Sequence, residues 1–552
     1  MHSFRIKQIF TLTLLTSLLV ISEFNVAKGQ CPALTKRVYA NNVSANTTLL
    51  LSSIDNSGLA IDADPKTAAT LNCVVGVLGA LGNASLDFSW SSSPTIKAGT
   101  AVKIKLGMGN GLLGVLPNLT VVGLKKGFLG ATVEISNKST VSPTLLNLLP
   151  GDNTVEYTYT PEEDSFAIRV NLGAVVGLAQ TAKVFDVYTL QPTTTLDCTK
   201  GDVLDIIYGV KDIGIGALSV TVGVENPWNS VDGNPDTYAV MHTGAGILAQ
   251  AREKIIFSSP SLPTDSVKII TSTGTSLLNI NLLTGFSIQR YLGDTPVGVP
   301  LDASSNLLIV KLFANNTRAA IILAPTPSSY DRIEILYGGV AGVLSTVNIH
   351  EVQRVTSTKL PSAIDIDNNI AVCKGAIISL PTPLDACTTF EWYDAPVNGN
   401  LIPGTSINTS SYSAGIKKFY IQPIRNSCKL LTRGIATVTI NEPAINIISP
   451  QSLCQDVLST TFPFTISNCN PTQYNIIWSQ EALNAGFTNV DFINLPGTLP
   501  LSIPITVPGR ATANYGNYQG MITVKNASTT GSSIPINVII KQTPEKPTVT
   551  LK

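Results

Sequence analysis

Ile61-Asp62-Ala63-Asp64-Pro65-Lys66-Thr67 and Val231-Asp232-Gly233-Asn234-Pro235-Asp236-Thr237 are one phrase written twice. Working outward, Val102-Lys103-Ile104 with Leu112-Leu113 answers to Val267-Lys268-Ile269 with Leu277-Leu278. Asn153-Thr154 before Pro161 answers to Asn316-Thr317 before Pro325. Gly177 to Val187, ending Val184-Phe185-Asp186-Val187, answers to Gly342 to Val352, ending Ile349-His350-Glu351-Val352. The offset stays between 163 (Asn153 to Asn316) and 170 (Ile61 to Val231), so the first half is a duplication with small indels. Between the anchors run short β-branched stretches such as Val267 to Ile270, punctuated by Gly, Pro, Asn and Asp, the pattern of antiparallel sandwiches. No long 3.6-residue period follows the first thirty residues. The expectation is an all-β chain of tandem β-sandwiches, the duplicated pair jelly-roll-like.

Composition narrows the role. The 552 residues carry 36 basic and 36 acidic side chains, which gives nucleic acid no basic face to bind. Only three histidines are present, His2, His242 and His350, so a His-based hydrolase or a His-ligated zinc site has little to draw on. Neither His242 nor His350 lies near a G-x-S-x-G elbow, and no catalytic residue is expected. Arg5 and Lys7 precede an apolar run from Ile9 to Ile21, and Ala27-Lys28-Gly29 suits cleavage; residues 1–29 read as a secretory signal peptide. Nothing later reaches the length of a membrane span. Eight cysteines then belong to an oxidising compartment.

Residues 30–195 and 196–356 are the expected sandwich repeats. Their early Asp-x-Asn/Asp-Pro-x-Thr loop resembles that of the discoidin and galactose-binding-like sandwiches. Such side chains bond nearby amides and pin a tight loop. They equally offer alternate hard oxygens, so Asp232, Asn234 and Asp236 are candidates for a calcium or a sugar. Lys66 stands where the second copy has Asp236, which makes the second loop the better candidate. Trp228 either stacks on a sugar or packs under this loop.

After an expected linker at 357–369 come Val372-Cys373-Lys374-Gly375, Phe390-Glu391-Trp392-Tyr393-Asp394, Lys418-Phe419-Tyr420-Ile421, Asn426-Ser427-Cys428 and Thr432-Arg433. Their order resembles the immunoglobulin-like module of surface proteins in gliding, type IX-secreting bacteria, placed here at 370–442. A Trp between two distant cysteines suggests an inter-sheet disulfide, Cys373–Cys428. The block 443–543, with Leu453-Cys454-Gln455 and Tyr474 to Ser479, is similar to the immunoglobulin-like and polycystic-kidney-disease-like repeats that accompany such modules. There Cys454–Cys469 is the expected pair, and Trp392 and Trp478 are expected in cores. Residues 544–552 read as a terminal linker.

The function expected is a non-catalytic, secreted or cell-surface adhesion or binding protein. Its partner would be an extracellular polymer, a glycan or a surface protein, met through the jelly-roll loops with the Ig-like pair as spacer. A purely structural matrix component and a secreted glycoside-acting enzyme are the alternatives.

Overall fold

The computed structural model describes residues 31–542 except 49–51, 74–81, 93, 109–117, 142–152, 175–179, 197, 199–201, 213–221, 244–248, 274–284, 303–304, 306–307, 313–317, 339–345, 365–367, 431 and 510–512. The expected leader, the terminal linker and the anchors Leu112-Leu113, Leu277-Leu278 and Asn316-Thr317 lie outside the described residues. The architecture is all-β. Among the described residues no helix is long and apolar enough to cross a membrane.

The first repeat comprises β1 (Leu34–Tyr39), β2 (Asn42–Thr48), β3 (Ser53–Asp55), β4 (Ala69–Cys73), β5 (Asn83–Ser89) and β6 (Val102–Met108). It continues through β7 (Leu119–Lys126), β8 (Thr132–Glu134), β9 (Ser139–Thr140), β10 (Thr154–Tyr159), β11 (Ala167–Gly173) and β12 (Gln180–Thr193). The second comprises β13 (Val203–Asp212), β14 (Val222–Glu225), β15 (Ala239–Thr243), β16 (Ala249–Phe257), β17 (Ser266–Ser272) and β18 (Phe286–Leu292). β19 (Thr295–Asp302), β20 (Leu308–Leu312), β21 (Ala319–Leu323), β22 (Arg332–Gly338) and β23 (Thr346–Val355) complete it.

The duplication is visible in the sheets. One sheet runs β10-β6-β12-β4-β3 in the first repeat and β21-β17-β23-β15-β14 in the second. The other runs β2-β5-β11-β7-β8 and β13-β16-β22-β18-β19. Alternation follows the pleat: Ala69, Leu71 and Cys73 point inward from β4, as Ala239, Met241 and Thr243 do from β15. Both closing strands carry a bulge, between Val184 and Asp186 and between Ile349 and Glu351. The extra residue lets Val184 and Val187, and likewise Ile349 and Val352, serve the apolar cores although three positions apart.

Two Ig-like β-sandwiches follow. In the first, Asn369–Cys373 pairs in parallel with Gly434–Asn441, and Trp392 is fully buried edge-on to Phe419. In the second, Trp478, Phe487 and Tyr518 stack at 4.5 and 5.1 Å between centroids. Both tryptophans are core residues. The stretch 357–369 is no free linker in its described part. Leu360 lies in the first module's core, and the Asn368 side chain accepts the Leu360 amide and donates to the Thr358 carbonyl.

The chain divides into two compact units. The first takes residues up to Ser357 together with Leu384–Thr388 and Ile424–Thr432, and the second takes the rest. The disulfides differ from the expected ones. Cys31–Cys387 and Cys198–Cys428 lie within the first unit, and Cys373–Cys469 lies within the second. Neither Cys373–Cys428 nor Cys454–Cys469 forms; Cys73 and Cys454 are free. Strand alternation explains the first error: Ile370 and Val372 pack on the core, so Cys373 faces away from Trp392. Cys428 follows a turn in which Asn426 and Ser427 both have positive φ.

Non-reducing peptide mapping should recover the three cross-links Cys31–Cys387, Cys198–Cys428 and Cys373–Cys469. Exposed Cys454 should alkylate in the folded chain, and buried Cys73 only after unfolding. A Cys373–Cys428 peptide would contradict this connectivity.

Candidate functional site

Each duplicated loop begins after a single 3-10 turn, Ser57–Ala60 or Pro227–Ser230, entered through a left-handed asparagine, Asn56 or Asn226. The Asx pattern is shared. Asp62 Oδ1 accepts the Asp64 amide at 3.0 Å and Oδ2 the Thr67 hydroxyl at 2.7 Å. Asp232 Oδ1 accepts the Asn234 amide at 2.9 Å and Oδ2 the Thr237 hydroxyl at 2.7 Å. The loops are therefore self-supporting without a ligand.

What lies beneath them differs. The bulges place Asp186 under the first loop and Glu351 under the second, and both acids are essentially unexposed. Opposite Asp186 in the ladder stands Lys105; opposite Glu351 stands Ile270. The Lys105 ammonium donates to Asp205 Oδ1 at 2.6 Å and to the Pro65 carbonyl at 2.8 Å. Arg37 reaches the other oxygen of Asp205 at 3.0 Å. In the second repeat the carbonyl matching Pro65, that of Pro235, pairs instead with His350 Nδ1 at 2.8 Å. A neutral ring thus replaces a cation as the prop beneath the loop.

The electrostatic consequence is local. Burial and the charge of Asp205 push Asp186 up to about 7, against the pull of Arg37 and Lys105. Burial and the charge of Asp232 push Glu351 up to about 7, against the pull of Gln353, the Gly233 amide and Lys268. Neither oxygen of Glu351 has a well-formed hydrogen bond, and neither oxygen of Asp186 has one. A buried carboxylate of this kind is costly unless a counter-charge arrives.

The expected site residues separate. Asp232 and Asn234 stay in the loop above Glu351, whereas Asp236 is turned to Arg318 at 3.0 Å. Trp228 is engaged by the first repeat, with the ammonium groups of Lys66 and Lys105 at 4.9 and 5.6 Å from its ring centroids. It packs beside the loops rather than presenting a free face. Among the described residues no cluster of three or more His, Cys, Asp or Glu side chains could hold a metal. A hard cation here would take two carboxylates, Asp232 and Glu351, with amide or backbone oxygens completing its shell, a donor set suited to calcium. His350 Nε2 lies 2.7 Å from the Ser272 hydroxyl, the spacing of a nucleophile and its base. Both residues are buried, and burial lowers the His350 pKa, so this pair reads as a satisfied core contact. Sequence reasoning missed Glu351, Lys105 and Ile270, although an acid shared by two otherwise apolar strand phrases was a signal.

Residues 361–442 match the family described as Ig-like domain, CHU_C associated. No curated protein matches the chain. Among solved structures, the family 32 carbohydrate-binding module of Clostridium perfringens NanJ, in complex with galactose, is 14% identical over 29% of this chain and 100% of its own, TM-score 0.19. The CBM32-1 and CBM32-2 domains of Clostridium perfringens ZmpB are 8% identical over 57% of this chain and 93% of theirs, TM-score 0.20. The tandem Ig repeats of Dlar are 16% identical over 32% of this chain and 94% of theirs, TM-score 0.13. These likenesses are too distant to transfer a ligand.

Lys105→Met strips a buried counter-charge from Asp205 and Asp186, and should cost about 3–5 kcal/mol. A thermal transition of the first unit unchanged within a degree would show that the network carries no stability. Glu253 offers a pH test of the same physics. Its carboxylate is buried, accepts the Ser230 hydroxyl at 2.6 Å, and is pushed by that burial up to about 8. The folded state therefore holds a proton that the unfolded chain releases near pH 4.3, so stability falls as pH rises from there to 8. Glu253→Gln should remove that fall, with a gain on the order of 2 kcal/mol by pH 8 and little near pH 4. Thermal melts at both pH values check it.

Proposed function

We propose that this chain is a non-catalytic extracellular protein that binds glycan, with the duplicated sandwiches as the binding part and the Ig-like pair as spacer. Calcium completes the second repeat at Asp232 and Glu351. The observation that carries the reading is the buried, unbonded Glu351 carboxyl beneath the Asp232 loop, where Ile270 occupies the place of Lys105 and Lys268 is the cation that acts on it. A divalent ion there would neutralise the buried carboxylate and stiffen the loop that rests on it. The Ig-like family match at 361–442 and the three disulfides support an extracellular setting. Two sandwiches with loop ends of matching construction support a binding role over a purely structural one.

Calcium added to the EDTA-treated full chain should raise its melting temperature, by the equivalent of about 2.7 kcal/mol at a hundredfold excess over Kd. Ile270→Lys supplies an internal ammonium and should abolish that response while leaving the chain folded. Calcium-dependent retention on a glycan array completes the test. No retention with or without calcium would favour the structural role.

A further inference from the structure

Strand β10, the edge of its sheet, lies against the face of β13, β16 and β22 that points away from the second repeat's core. The contact is polar. Thr154 Oγ1 accepts the Tyr208 amide at 2.9 Å, and Arg252 donates to the Thr154 carbonyl at 3.0 Å. Beside it opens a cleft of about 480 Å³, whose apolar lining includes Val155 and Ile207. That volume falls within the range of small-ligand sites.

Its two walls are charged differently. On one, Glu156 and Asp294 are already committed. Arg332 meets Glu156 at 3.0 Å, and Lys103 meets Glu156 at 3.4 Å and Asp294 at 2.9 Å. Burial would raise Glu156, but Arg332, Arg37 and Lys103 hold it down to about 2, so it stays ionised. On the other wall Lys211, Arg252 and Lys254 draw on one carboxylate, Glu334. Lys254 lies 3.3 Å from it, Lys211 3.7 Å, and the Tyr291 hydroxyl also donates to it at 2.9 Å. Arg252 Nε has no partner among the described residues. Burial lowers the pKa of both Arg252 and Lys254, the mark of cations short of compensation.

We infer that this cleft between the repeats is a second binding site, separate from the Asp232 loop, that takes an acidic saccharide. The sugar's carboxylate or sulfate faces Lys211, Arg252 and Lys254, and its hydroxyls face Asp294 and Thr158. Arginine and lysine on a concave, partly apolar wall favour an oxyanion carried on a ring over a neutral sugar. The inference rests on the glycan-binding reading for its ligand class but not on calcium.

Calorimetry on the full chain with a trigalacturonate probe, a neutral galactose trisaccharide and inorganic sulfate tests it. The uronate should bind, with affinity falling as salt rises, and the neutral trisaccharide should bind at least tenfold more weakly. Arg252→Met and Lys254→Met should each weaken uronate binding about tenfold in chains that still fold, at a lowered melting temperature, and keep the calcium response. Ile270→Lys should bind uronate as wild type does, which separates failure here from failure at the loop. Sulfate binding as tightly as the uronate would reduce the site to a bare anion pocket and overturn the saccharide assignment. Absence of uronate binding, or binding indifferent to both substitutions, would overturn the site itself.

Discussion

The Lys105 ammonium, held between Asp205 and the Pro65 carbonyl and set beside Asp186, is the interaction on which the first unit is organised. Burying two carboxylates and two cations is unfavourable unless their geometry is closed, because the desolvation cost per ion is several kcal/mol. Closure here requires both repeats: Lys105, Arg37 and Asp186 come from the first, and Asp205 from the second. The Asp loop of the first repeat, the bulge of β12 and the start of β13 are thereby fixed by one set of charges. Glu156 extends the set by joining Arg37, Lys103 and Arg332. Removing one member strands the others, which makes the network a constraint on register more than a source of net stability.

Duplication supplied two copies of the same problem, and the copies solved it differently. Asp186 meets Lys105 across the ladder, whereas Glu351 meets Ile270. The loop carbonyl is propped by an ammonium in one and by His350 in the other. Both changes sit at closing strands that carry a bulge at the corresponding place. Both buried acids stay unbonded and are pushed up to about 7, so the copies differ in the cation and carbonyl prop around the acid rather than in the acid itself.

Much of this was legible beforehand, and the reasons are physical. Strand alternation and turn residues are local, so the sandwiches, the repeat and the pinned Asp loops follow from a few residues each. The core positions of Trp392 and Trp478 follow from size and apolarity. Pairings across hundreds of residues do not. Cys31 finds Cys387 and Cys198 finds Cys428 because Leu384–Thr388 and Ile424–Thr432 belong to the first unit, which no local pattern announces. The same segments bring Arg425 to Asp265, a buried bidentate pair. Trp228 was ambiguous for a related reason: its neighbours Lys66 and Lys105 lie 162 and 123 residues earlier (228 − 66 and 228 − 105). Glu351 was readable in principle, since only its ladder partner distinguishes it from Asp186.

The charge left over is unevenly placed, and the imbalance points one way. Lys105 and Arg37 of the first repeat meet Asp205 of the second, and Lys125 and Glu163 meet at the first repeat's surface at 2.6 Å. In the second repeat the Glu351 carboxyl under the Asp232 loop is unbonded, and on the face turned toward β10 three cations share one carboxylate. Opposite deficits in one sandwich cannot cancel through a core filled by Ile255, Ile269, Ile333 and Ile335. They persist because each is screened from the other by apolar side chains. The two imbalances are on this argument the places where the proposed ligands would be met, one under the Asp232 loop and one beside β10.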